Sequence, residues 1–231
     1  MVDMRFFVEN QKIEKEMSWV QAQLRLHMNG ATTEQMERSG IDYRINYGVG
    51  IPHLKQLAKR IPVSFEVAER MWFSEVREMM LLAALIVPTE NMTLDFCRDW
   101  AKQINNKDLV ERTSMFLWTR VHNIENIILE WLAGENKHLL ATAFYTVGRL
   151  LQTRADVKSI NVSELVNALR SSEDLFIMKA LSFALRMKLR HCPQEKEEIK
   201  AFAQSLNSSG EMNKQMLAEE LFNELDFMAN S

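Results

Sequence analysis

Asn105-Asn106-Lys107-Asp108-Leu109-Val110-Glu111-Arg112 sets two carboxylates, Asp108 and Glu111, three residues apart at the head of an apolar run. A helix through this stretch places both on one side. Two kinds of chemistry suit that pattern. One is structural: Asp108 as N-cap, Glu111 reaching back as the third helical residue, and both acids at the positive end of the helix dipole. The other is catalytic: a carboxylate presented to a groove. On these residues alone the cap is the simpler reading.

Other stretches offer weaker chemistry. Residues 175–192 carry Lys179, Arg186, Lys188 and Arg190 with no acid. A solvated helix face accounts for four bases, and a stripe facing phosphates is the alternative. Residues 195–231 hold eight acids against three bases, a net of −5 in a chain whose total is −3, so the remainder is +2. Tyr47-Gly48-Val49-Gly50-Ile51-Pro52 is a glycine-containing turn ahead of a helix. With only Gly-x-Gly and no preceding strand it is read as a shaped turn, not a phosphate cradle. The five histidines are scattered, and Cys97 and Cys192 form neither a metal spacing nor a disulfide pattern. No metal and no cofactor are expected, and cysteine scarcity fits a reducing cytoplasm.

The elements that must position these residues are helices. Gly and Pro number only 7 and 4, and 15 Met suit a helical core. Apolar periodicity and breaker residues predict helices over 3–28, 33–38, 52–60, 64–73, 75–87, 93–103, 108–121, 124–132, 136–152, 163–169, 175–190, 193–206 and 212–228. In the first, Phe6 and Phe7 begin the apolar face; Ser171-Ser172-Glu173-Asp174 caps the helix from 175. Pair starts near 64, 92, 124, 163 and 194 have the spacing of helical solenoid repeats. The expectation is an all-α, curved α-solenoid of antiparallel pairs, a single domain over 1–231. Helices 1–60 would lead into pairs over 64–228. The second helices of the pairs would share one face, with the bases of 175–190 beside the Asp108–Glu111 stretch. No segment is long and apolar enough to span a membrane.

On that architecture, Tyr47-Gly48-Val49-x-x-Pro52-x-Leu54-x-x-Leu57-Ala58 resembles the signature of the DNA alkylation repair family with HEAT-like repeats. Trp72, Glu78 with Leu82-Ala83-Ala84 before Pro88, Trp100, Asp108-Leu109 and Phe176-Ile177-x-Lys179-Ala180-x-x-x-Ala184-Leu185-Arg186 follow in family order. The resemblance covers about residues 40–190. It implies a solenoid that clasps duplex DNA, and an activity that excises cationic N3- and N7-alkylpurines. Such a reaction needs a carboxylate to stabilise an oxocarbenium-like sugar and position water, and rings to hold the cationic base.

Carried over by position, the resemblance makes Glu111 the catalytic carboxylate. Asp stands there in family glycosylases, and the extra methylene moves the charge by roughly 1 Å. Lys107 replaces the aromatic that opens the motif, and it suits a phosphate better than a cationic base. Phe183 stands where a second family ring, Trp, is usual. Trp118, two helical turns beyond Glu111, would be a further lesion contact. Lys107, Lys179, Arg186, Lys188 and Arg190 would meet the DNA backbone. Lys137 or His138 lies nearest to the family's remaining Arg. The alternatives are a non-catalytic relative that binds damaged or branched DNA, and a protein-binding scaffold. A monomer is expected.

Overall fold

A computed structural model describes residues 10–153, 157, 160–169 and 172–230. The expected start of the first helix at residue 3, with Phe6 and Phe7, lies outside these, as does Ser171. Among the described residues the secondary structure is helical, apart from one bridge between Ile45 and Val76. The chain forms two compact units, divided between His122 and Asn123.

The first unit contains α1 (Gln11–Leu26), α2 (Gly30–Arg38), α3 (Ile51–Ala58), α4 (Phe65–Trp72), α5 (Arg77–Ile86), α6 (Leu94–Ala101) and α7 (Lys107–Phe116). Short polar residues start most of them. The side chains of Asn10, Asn29, Ser64, Thr93 and Asn106 accept backbone N–H groups of their helices. Helix α5 is the spine: every residue from Arg77 to Ala84 is buried, and α4, α3 and α7 pack on it. Trp72 and Trp100 stack at 4.8 Å, and the Trp72 indole N–H donates to the Trp100 carbonyl at 3.2 Å, tying α4 to α6.

Cys97 is wholly inaccessible in this core, and burial pushes its thiol up to about 11. At pH 8 it should resist alkylation in the native protein and react only on unfolding. Mass analysis after iodoacetamide treatment, with and without urea, checks this. Labelling of native Cys97 would contradict the packing.

The second unit contains α8 (Glu125–Ala133), α9 (Lys137–Gln152), α10 (Val162–Leu169), α11 (Leu175–His191), α12 (Lys196–Asn207) and α13 (Met212–Ala229). Its organisation is that of stacked pairs. Helix α8 packs on α9, α10 on α11 and α12 on α13, while α8, α10 and α12 adjoin in one layer and α9, α11 and α13 in the other. In each of these pairs the first helix is shorter than the second.

Candidate nucleic-acid interface

The head of α7 differs from the capping box read in the sequence. Asn106 is the N-cap, and its side-chain oxygen accepts the Leu109 N–H at 3.0 Å. Asp108 is inside the helix and buried. Its carboxylate accepts from Arg77 Nε at 2.7 Å, from the Tyr43 hydroxyl at 3.0 Å and from Arg112 Nε at 3.3 Å. Arg77 also donates through Nη1 to Glu78 at 3.0 Å and to the Val49 carbonyl at 3.1 Å. Glu78 in turn accepts the N–H groups of Tyr47 and Val49 at 3.0 and 3.1 Å.

This network explains the Tyr47-Gly48-Val49 turn. Its two flanking amides are held by the Glu78 carboxylate, and the Gly48 N–H donates to Asn46 Oδ1 at 2.9 Å. A phosphate therefore finds none of these amides free. Gly48 has φ +69°, and a Cβ there would lie 2.1 Å from the Asn29 carbonyl oxygen, so only glycine fits. Burial, and then the Asp108 carboxylate, push the Tyr43 phenol above its ordinary range. Burial alone would lower the Arg77 guanidinium; the Asp108 and Glu78 carboxylates outweigh it and raise it. Asp108, Arg77 and Glu78 are thus a framework that holds the turn, α5 and α7 together.

What α7 shows to solvent is the stripe Lys107, Glu111 and Met115, spaced one turn apart. Glu111 does not reach back to the helix amides, and among the described residues its carboxylate has no hydrogen bond or ion pair. Trp118, expected two turns beyond it on the same side, does not line this face. The α-helix ends at Phe116, Trp118 belongs to a 3-10 turn over Trp118–Arg120, and its side chain is 0% exposed. The early stop has a cause. The Arg120 side chain folds back and donates to the carbonyls of Phe116 at 2.7 Å and Ala84 at 2.8 Å, joining the ends of α7 and α5.

In the second unit, α9 and α11 present a face of rings and cations. Tyr145 lies 5.9 Å from both Phe176 and Phe183, and the Arg149 guanidinium sits 4.9 Å above the Phe183 ring. Lys179 is exposed one turn before Phe183, and Arg186 follows it, with no hydrogen-bond partner for its Nε among the described residues. Two of the expected phosphate contacts are corrected. Lys188 is 2% exposed and paired with Glu195 at 3.1 Å, so it cannot reach a ligand's backbone. Arg190 is clamped through two nitrogens by Glu224, at 2.6 and 2.8 Å. Lys137 stands 3.9 Å from Asp174, and His138 is half-buried beside it.

Phe183 owes its position to Gly148. A Cβ on Gly148 would come within 2.4 Å of the Phe183 Cε1. In Gly148→Ala the ring must leave its seat below Arg149. The gain in helix propensity, about 1 kcal/mol, offsets part of the overlap, so stability should shift by no more than about 1 kcal/mol. Denaturant midpoints check the stability, and a nucleic-acid titration checks whether the displaced ring matters as Phe183→Ala does.

These helices and motifs match the family model described as DNA alkylation repair enzyme, over residues 20–197. The chain belongs to this family. A solved structure of a protein from a family related to the HEAT-like repeat DNA glycosylases, with affinity for branched DNA structures, is similar in fold. The identity is 16%, the match covers 90% of this chain and 93% of that one, and the TM-score is 0.73. The fold of this DNA alkylation repair family member is therefore the all-α, HEAT-like repeat fold expected from its helix pairs. No curated protein matches the sequence. Within the matched residues, Asp108 is the buried framework position.

Proposed function

We propose that this family member binds DNA, with preference for branched forms, and does not release alkylpurines. The observation that carries this reading is the α9–α11 face, where Tyr145, Phe176 and Phe183 are interleaved with Arg149, Lys179 and Arg186. These rings are half-buried; the part of each that reaches the surface can take an unstacked base, and the cations beside them take phosphates. A branch point offers both together. The same features disfavour a cationic purine: a guanidinium already lies over Phe183, and α7 presents Lys107 where the glycosylase motif has a ring. The branched-DNA affinity of the structural relative supports the choice of ligand.

A second reading, excision of N3- or N7-alkylpurines, rests on Glu111, whose carboxylate is exposed on α7 and has no partner among the described residues. Release of 7-methylguanine and 3-methyladenine from methylated duplex, beside an active glycosylase, separates the two. The DNA-binding reading expects no release. Release that is lost in Glu111→Gln would establish the enzyme.

A further inference from the structure

We infer that the first unit carries a recognition cleft for an unpaired guanine base. The inference rests on the DNA-binding reading for its biological setting, but the cleft can be tested without DNA. A cleft of about 280 Å³ opens between the Tyr43 segment and the start of α7. Its apolar walls are Met80 and Leu109, both buried in the unit's core, and Tyr43. Its polar lining is Asp42, Gln103 and Asn105, together with the exposed Arg44 and Glu75.

The charges choose the part of a nucleotide that enters. Arg44 is committed to Glu75 at 3.1 Å, so Asp42 is left as the uncompensated charge. A phosphate is repelled by such a lining, whereas a flat heterocycle fits the apolar walls. Among the described residues the Asp42 carboxylate has no hydrogen-bond or ion-pair partner, and neither has the Gln103 amide. Asn105 Oδ1 accepts from Asn106 at 3.0 Å, which leaves its own amide N–H groups to donate.

The donor pattern chooses the base. A carboxylate offers two adjacent acceptors and no donor. Guanine alone among the DNA bases presents two adjacent donors, N1–H and the 2-amino group, beside an acceptor, O6. Asp42 would take the two donors, and an amide N–H of Gln103 or Asn105 would meet O6. Adenine and cytosine each place a ring-nitrogen acceptor against the carboxylate, and thymine offers one donor between two acceptors. Bases splayed out of a stack are read on this edge. The walls are held in advance. Tyr43 donates to Asp108 at 3.0 Å, and Asn106 Nδ2 donates to the Asp42 carbonyl at 3.3 Å, so the cleft need not form on binding.

The direct test is saturation-transfer NMR on the full chain with guanosine and with adenosine. Guanosine should bind with at least about tenfold preference, the yield of one bidentate pair. Asp42→Asn, which touches no partner of the fold, should remove the preference, and Gln103→Ala should weaken guanosine severalfold. Equal binding of the two nucleosides, binding of neither, or a preference that survives Asp42→Asn would overturn the inference. A junction with one unpaired guanine or adenine at the branch is then compared. Failure of the protein to bind either junction would sink the DNA-binding reading and leave the nucleoside result standing. Equal affinity for both junctions would count against the cleft alone.

Discussion

Arg77→Met should lower the unfolding free energy by about 3–5 kcal/mol, the usual cost of removing one partner from a buried ionic cluster. Arg77 is 4% exposed and bonds to Asp108, Glu78 and the Val49 carbonyl. Its loss leaves Glu78, 0% exposed, with only the amides of Tyr47 and Val49, and leaves Asp108 with Tyr43 and Arg112. Domains of ordinary stability have about 5–15 kcal/mol in hand, so a single change here removes a large share. Arg77→Lys should not rescue, since one ammonium cannot replace donors at both Nε and Nη1. Urea unfolding measures both variants. A double cycle with Asp108→Asn should be non-additive, because the second change removes a carboxylate already deprived of Arg77, the nearer of its two cations. A loss under about 1 kcal/mol would show that the cluster does not hold the turn to α5 and α7.

Phe183→Ala combined with Lys179→Ala should weaken binding to a four-way junction by about a hundredfold. Stacking of one base on a ring contributes about 1–3 kcal/mol, and one lost phosphate contact flattens the salt dependence by about 0.9. Arg190→Gln should change affinity little, because Glu224 already neutralises that guanidinium. Lys188 is likewise withdrawn by Glu195. With Arg149, Lys179 and Arg186 of the α9–α11 face as the backbone contacts, the slope of log K against log salt should be near −3, since each neutralised phosphate contributes about −0.9. A slope near −5 would mean that Lys188 and Arg190 reach the DNA as well.

The helices were legible because their signals are local. Asparagine and serine or threonine caps, glycine stops and an apolar stripe every third or fourth residue lie within the helix they describe. Partners across the fold are not written locally. Asp108 and Glu111 have the spacing of a cap, yet Asp108 answers to Arg77, thirty-one residues earlier, while Asn106 caps. Glu78 was visible only as one residue of a family pattern, and its role appears once its carboxylate is seen under the turn. Charge counted by segment also misled. The bases of α11 and the acids beyond residue 195 looked like a basic stripe and an acidic tail, but Lys188 pairs with Glu195 and Arg190 with Glu224. Ser182 on α11 likewise donates to Glu220 on α13. An unbroken α-helix through 121 would put Trp118 on the Glu111 side, and the stop at Phe116 turns it inward. Gly148, whose missing side chain seats Phe183, carried no sequence signal beyond being a glycine in a helix.

The central claim is that this DNA alkylation repair family member recognises DNA at branches through the α9–α11 face. Titration of one labelled four-way junction and one linear duplex of the same sequence, at a single salt concentration, tests it most directly. The account predicts tighter binding of the junction by the wild type, and loss of that advantage in Phe183→Ala/Lys179→Ala. Equal affinity for the two forms, or a junction preference that the double variant retains, would contradict it.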